Sequence, residues 1–268
     1  IAACILGIKV WDKKEQRFVR WFRELDLFVA RKWGKDTFIV PLIAYFVGID
    51  KEPSAWCQIL AENEAQAKRT FDLVKENVKE EPLDCWFTGT GKSSRAIECP
   101  ETHGVIQYLS GRAKGKDGAN PSFAVVNEAH EITNKNQYNA TKSGMGARSQ
   151  PMMIVISSAG ITPESLYESL YERNKKLLKK RRLGQNDRIF ALMFGIDEAD
   201  DYRDEACWIK ANPAMYEGRP TMDFLRGQLE SMKDDPVLLN TFIAKHMNRQ
   251  IGAFIDYFSI IAIRNAMR

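Results

Sequence analysis

Phe28-Val29-Ala30-Arg31-Lys32-Trp33-Gly34-Lys35-Asp36-Thr37 decides how the rest of the chain reads, because an apolar run stands on each side of it. Leu25 to Ala30 predicts a short buried strand, and Phe38 to Val47 predicts an apolar helix entered directly from Gly34-Lys35. Strand, tight basic loop and helix make an anion site. The unpaired N–H groups of the first helical turn point outward at the positive end of the helix dipole. Lys35 stands where an ammonium reaches the β- and γ-phosphates of a nucleotide. The pattern G-x-x-x-x-G-K-[ST] is met only in part: Val29 takes the first glycine's place and Asp36 the hydroxyl's, with Thr37 one position later. Alone, the loop reads equally well as a basic turn between two elements.

Outward from this loop, strand and helix patterns alternate. Ala55 to Leu60 predicts a strand and Glu62 to Lys79 a long amphipathic helix; short strands are predicted at Trp86-Phe87 and Val105 to Leu109. Gly111 to Pro121 is a Gly- and charge-rich surface loop, followed by an apolar strand over Phe123 to His130. A helix over Gln137 to Gly146, a strand over Met152 to Ile156, a helix from Pro163 or Glu164 to about Arg182 that stops at Gly184, and a strand over Ile189 to Phe194 complete the series. Alternation of this kind predicts the α/β class, a parallel-type sheet flanked by helices. Past Asp197 the pattern is helical, at Glu205 to Lys210, Met222 to Met232 and Pro236 to Met247. The expected organisation is a nucleotide-binding core over 1–196 and a helical segment over 197–268.

Composition narrows the class. The chain has 268 residues, 44% hydrophobic and 28% charged, which is ordinary for a folded globular protein. A net charge of +4 permits a polyanionic partner without requiring one. The longest apolar run, Phe38 to Ile49, is too short to span a bilayer and contains Pro41, so no membrane segment is expected. Five cysteines without a C-x-x-C pair, and three scattered histidines, argue against a disulfide scaffold or a zinc site. A chain that opens on Ile1 reads as a piece of something longer.

The chemistry gathers at strand ends. Phe123 to Val126 runs into Asn127-Glu128, the form of an element in which the first acid holds magnesium and the second polarises an attacking water. Glu128 is the candidate general base; Asn127 brings no charge to a metal. A third strand ends in Ser157-Ser158-Ala159-Gly160. A solvated glutamate or a basic turn is common by itself. The succession of Gly-Lys loop, Asn-Glu strand end and Ser-Ala-Gly strand end, on strands expected to be adjacent, is much less so.

Taken together these stretches resemble the large terminase subunits of tailed bacteriophages, the motors that pump DNA into empty heads. Arg23-Glu24 followed by Val29 to Lys35 is similar to that family's variant Walker A loop; Leu109-Ser110, Asp117 to Pro121 and Val125 to His130 are similar to its Walker B approach. Gly146 to Pro151 with Ile156 to Gly160 resembles its coupling motif, and Cys207-Trp208, Ala211-Asn212-Pro213, Phe242 and His246-Met247-Asn248 resemble the segment closing its ATPase half. The resemblance implies that Arg31, Lys32, Gly34, Lys35, Asp36 and Thr37 bind ATP, that Asp36, Thr37 and Asn127 face Mg2+, that Glu128 is the catalytic acid, and that Ser158, Ala159 and Gly160 couple hydrolysis to DNA movement. It also implies an arginine supplied by a neighbouring subunit, for which Arg112 and Arg148 are the candidates.

That family usually has Ser or Thr at position 36 and Asp at 127. The reciprocal changes here suggest either a weakened site or a carboxylate moved from the strand end to the loop. Lys175, Lys176, Lys179, Lys180, Arg181 and Arg182 form a basic helix end, read either as a solvated C-terminal turn or as a contact to DNA phosphates. The implied partners are double-stranded DNA, a portal protein, a small terminase subunit and further copies in a homo-oligomeric ring. The implied location is the bacterial host cytoplasm, at the procapsid portal vertex. Because the chain stops before an acidic nuclease cluster, no nuclease activity is expected. Two other readings stay open, a helicase-like ATPase and a degenerate P-loop domain that binds DNA or a partner without turnover.

Overall fold

The computed structural model describes residues 1–50, 52–109, 119–180 and 187–251. In chain order, α1 (Ala2–Gly7) leads into a hairpin of β1 (Lys9–Asp12) and β2 (Arg17–Arg20). The Asp12 carboxylate turns this hairpin by accepting from the amides of Lys14 and Glu15 at 2.8 and 3.0 Å. Then come β3 (Glu24–Phe28), α2 (Lys35–Gly48), β4 (Trp56–Leu60), α3 (Glu64–Asn77), β5 (Ala96–Cys99), β6 (Gly104–Tyr108), β7 (Phe123–Asn127), α4 (Asn136–Gly144), β8 (Met152–Ser157), α5 (Leu166–Leu178) and β9 (Ile189–Met193). The chain continues through α6 (Trp208–Ala211), α7 (Met222–Met232) and α8 (Pro236–Lys245).

Seven strands form one sheet in the order β5-β6-β4-β7-β8-β3-β9, parallel throughout except where β5 joins β6. A strand covered on both faces must be apolar at nearly every position, which explains the apolar runs in β7 and β8; β3 is buried too, but carries Glu24 and Asp26, both paired with Arg173 of α5. Their side chains divide by parity. Leu25, Leu27, Phe123, Val125, Ile154 and Ile156 pack with α2 and α3, whereas Phe28, Ala124, Val126, Met153 and Val155 pack with α4 and α5. A third cluster of Trp208, Leu225, Phe242 and Met247 closes over Ala30 and Ile196, so the helical segment sits on the tips of β3 and β9. Side-chain caps start the helices where the sequence offers them, Asn63 to the Gln66 amide for α3 and Ser165 to the Glu168 amide for α5.

Three expectations are corrected. Trp86-Phe87 is a turn, not a strand, although Phe87 packs into the core. The hairpin and the antiparallel β5 were not expected: each pairs with the next strand along the chain, but four-residue segments with charged residues among them, such as Lys9–Asp12, carry no clear apolar alternation to mark them. The loop strand β3 and the glutamate strand β7 are not adjacent either; β8 lies between them and pairs with both.

Candidate active site

Behind β3 the backbone turns sharply, with Lys32 at φ 73° and Gly34 at φ 95°. A left-handed residue just ahead of α2 suits glycine, and nothing stands within 4 Å of where a Cβ would project, so here the strain is conformational rather than steric. Lys35 is the first residue of α2, and its Nζ reaches Glu128 Oε1 at 2.9 Å and Oε2 at 3.1 Å, with 8% of the lysine side chain exposed. The loop and the strand-end carboxylate, 93 residues apart in sequence, therefore meet on the same side of the sheet. Glu128 follows β7 directly and adopts φ 53°, an uncommon value for a non-glycine residue. Burial pushes its carboxyl upward, but the His130 hydrogen bond and the Lys35 charge outweigh that and hold it at about 2.

Asp36 and Asn127 also meet. The Asn127 amide Nδ2 donates to Asp36 Oδ1 at 3.4 Å and to Thr70 Oγ1 at 3.0 Å. Magnesium is held through one or two carboxylates and completes its octahedron with water and phosphate oxygens. The exposed Asp36 carboxylate and the Asn127 amide beside it are hard donors, with the exposed Thr37 hydroxyl next along the first turn of α2, and this donor set fits that requirement. Among the described residues no group of three or more His, Cys, Asp or Glu is placed to hold a metal without a ligand's help.

His130, two residues beyond Glu128, connects that carboxylate to the neighbouring strand end. Its Nδ1 lies 3.2 Å from Glu128 Oε2 and 3.1 Å from Ser157 Oγ, while its own amide donates to that hydroxyl at 3.0 Å. The ring packs on Gly160, where a Cβ would come within 2.7 Å of the imidazole Cδ2. His130 thus joins Glu128 to the turn Ser158–Gly160, and only a residue without a side chain fits beneath it. Trp33 packs edge-on against Phe38, with ring centroids 6.1 Å apart.

The remaining sequence candidates lie elsewhere. Arg148 directs its guanidinium to three backbone carbonyls, those of Asn120, Pro53 and Ser54 at 2.9, 2.8 and 3.2 Å. Asn120 precedes β7, so this clamp is at the far end of the strand from Glu128. The donors of Arg148 are thus engaged in joining loops, and its reading as an arginine given to another subunit stays a proposal. Arg148→Ala is expected to lower stability by about 1–2 kcal/mol, since partners of a charged donor are left open. Urea denaturation of the variant measures the loss, which persists when wild-type chain is mixed in. Lys175 pairs with Glu198 at 3.5 Å and Lys180 with Asp187 at 2.9 Å, while Lys176 and Lys179 are exposed. This helix end lies beside the start of β9, at the opposite edge of the sheet from the Lys35 loop. Arg112, Arg181 and Arg182 lie outside the described residues.

His246, 3% exposed, sits under the loop at the end of α8. Burial and then the Arg31, Lys32 and Lys245 charges push its imidazole down to about 4. A base with a depressed folded pKa contributes stability that is complete above its unfolded value near 6.5 and is lost as pH falls toward 4. Between those pH values the chain is expected to lose stability of order 2–3 kcal/mol through this residue. Denaturant titrations at pH 7 and pH 4.5 check it, and His246→Phe is expected to flatten the difference.

A parallel sheet with a basic loop at the start of α2, an acidic strand end facing it and one strand inserted between the two defines the P-loop nucleotide-hydrolase class of fold. The comparisons narrow this. The sequence family described as "Terminase large subunit, ATPase domain" matches residues 5–176, and the chain belongs to that family. Protein YmfN of Escherichia coli (strain K12) is 32% identical over 161 residues, which is 58% of this chain and 34% of that protein. The terminase large subunit of Lactococcus phage p2 is 20% identical over 258 residues, covering 95% of this chain and 47% of the relative. Among solved structures, the HK97 bacteriophage large terminase superposes with a TM-score of 0.73 at 22% identity, over 85% of this chain and 47% of that one. The Thermus phage P74-26 large terminase ATPase domain gives 0.57 at 14% identity, over 85% and 88%. These structural likenesses establish the fold. The chain spans between a third and a half of the length of the curated relatives it matches. No helix among the described residues is long and apolar enough to cross a membrane.

Proposed function

We propose that this chain is the ATP-hydrolysing part of a DNA-packaging motor. It binds ATP on the loop Arg31 to Thr37, hydrolyses it with Glu128, and uses the turnover to move double-stranded DNA. The observation that carries this reading is the contact of Lys35 Nζ with both oxygens of Glu128. In this contact the ammonium neutralises the carboxylate. An incoming triphosphate offers Lys35 a denser anion, aided by the amides at the start of α2. When Lys35 moves to the phosphates, Glu128 loses one of the charges that hold its pKa down and turns toward the γ-phosphate as a stronger base for water. Asp36, Thr37 and Asn127 are the groups that would hold Mg2+, whose charge screens the phosphates during transfer.

The division into a core over 1–196 and a helical segment after it belongs to the same proposal, as do a ring of copies, a portal protein, a small terminase subunit and a working place at the procapsid in the host cytoplasm. A trans arginine, if the ring uses one, is sought first at Arg112. Lys175, Lys176, Lys179, Lys180, Arg181 and Arg182 are the candidate DNA contacts, of which Lys176, Lys179 and Lys180 are exposed, and binding through phosphates alone falls steeply with salt. The replaced residues at 36 and 127 favour a second reading, a degenerate loop that binds without turnover. ATP hydrolysis by the parent chain and by Glu128→Gln, each with and without duplex DNA, decides between them. DNA-stimulated turnover lost in the variant supports the motor. DNA binding with no turnover in the parent, with or without nucleotide bound, supports the second reading, and binding of neither nucleotide nor DNA overturns both.

A further inference from the structure

Hydrogen bonds from three strand tips converge on Lys245–Asn248, the residues that follow α8. The Arg31 amide, beyond β3, donates to the Lys245 carbonyl at 2.7 Å, and the Ile196 amide, beyond β9, donates to the Met247 carbonyl at 3.1 Å. Asn248 supplies the rest through its side chain. Its Oδ1 accepts from the Ala159 amide at 2.6 Å and its Nδ2 donates to the Phe194 carbonyl at 2.6 Å. Asn248 is 6% exposed and held at φ 48°. A Cβ on Gly195 would stand 2.6 Å from the Asn248 carbonyl oxygen, so the two backbones are in contact.

The Asn248 amide, with its acceptor and donor on separate atoms, joins an N–H on β8's exit to a C=O on β9's exit, which no charged side chain does. Ala159 lies in the turn on which His130 rests, and His130 in turn touches Glu128. The contacts therefore run without a gap from Glu128 through His130 and the turn 158–160 to Asn248. The bond from Arg31 ties the same segment to the phosphate loop.

We propose that Asn248 is a positioning residue that transmits the state of the nucleotide site to the helical segment, by fixing the turn Ser158–Gly160 to residues 245–248. It touches no reacting atom. The inference deepens the proposed motor function and rests on it.

The test uses the full 268-residue chain, a non-hydrolysable ATP analogue with magnesium, and duplex DNA. Hydrogen exchange is followed over residues 31–37 and 243–248, and DNA-stimulated hydrolysis is measured alongside. In wild type the analogue is expected to alter exchange in both segments. In Asn248→Ala the response at 31–37 is expected to remain, with analogue affinity within about threefold, while the response at 243–248 and the DNA-stimulated rate each fall about tenfold. Asn248→Asp keeps the acceptor for Ala159 and loses the donor for Phe194, so it is expected to fall between. Phe242→Leu, a packing change in the same segment, is expected to lower the melting temperature without separating the two responses.

An unchanged response at 243–248 in Asn248→Ala, or in Asn248→Asp should the alanine variant not fold, overturns the proposal. So does a Phe242→Leu variant that reproduces the whole pattern. Analogue binding without hydrolysis in wild type would remove the motor reading and leave the exchange test to judge Asn248 alone. No exchange response at 31–37 in wild type removes both.

Discussion

Glu128→Gln is expected to lower ATP turnover by about 100- to 10,000-fold, the range for loss of a positioned general base, and at the same time to tighten nucleotide binding. The second effect follows from the Lys35–Glu128 contact. Lys35 is nearly buried and held by both oxygens of Glu128, so a triphosphate must displace that carboxylate before it gains the ammonium. An amide at 128 competes poorly for the lysine. Affinity for a non-hydrolysable analogue is expected to rise roughly 3- to 10-fold, equivalent to about 0.7–1.4 kcal/mol.

The same substitution leaves a buried ammonium without its counter-ion, which destabilises the empty protein. The nucleotide-free variant is therefore expected to melt below the parent and to show the larger rise in melting temperature on adding the analogue. Calorimetry and thermal melts read all of this without turnover. A variant that binds the analogue more weakly than the parent would show that Glu128 does not restrain Lys35. The Glu128 carboxyl, held at about 2, stays ionised across the working pH range, so the restraint on Lys35 is not lost by its protonation.

What the sequence revealed of this site was its local part. A loop between a strand and a helix is contiguous, so Gly34, Lys35 and the helix behind them are legible from residue type and spacing. Strand ends are legible too, because a run such as Phe123 to Val126 must stop where a charged residue meets solvent. Strand order is not. Nothing in the residues of β8 states that it inserts between β3 and β7, since β7 and β8 are apolar runs of the same kind and the buried Glu24 and Asp26 of β3 pair with Arg173 of α5 rather than with a neighbouring strand. The partners of His130 and Asn248 share this difficulty. Asn248 binds Ala159 across 89 positions, and the polar residue types by themselves predict a surface loop. One signal was available for His130: it stands two residues after Glu128, at a strand end, where its ring reaches back to the acid.

Asp36 and Asn127 offer the second large effect, in a form that separates an altered site from a dead one. Their side chains lie 3.4 Å apart, close enough for one carboxylate to serve from either position. Asp36→Ser removes the loop's candidate carboxylate for magnesium and is expected to cut hydrolysis roughly 100-fold, or ~2.7 kcal/mol. Asn127→Asp alone sets two carboxylates side by side. Without magnesium these repel, and the variant is expected to melt below the parent; magnesium with nucleotide is expected to restore it. In the double variant the charge count returns to that of the parent with its position exchanged, and activity is expected to recover to within about fivefold, a coupling of order 2 kcal/mol between neighbouring sites.

Additive losses in that cycle would mean that the two residues are independent substitutions and that Asn127 marks a weakened site. Recovery confined to the double variant would mean that one negative charge is required at this point, whichever strand or loop supplies it. The magnesium dependence of the melting temperature reports the same charge in the absence of hydrolysis, so a slow enzyme and an empty metal position give different answers.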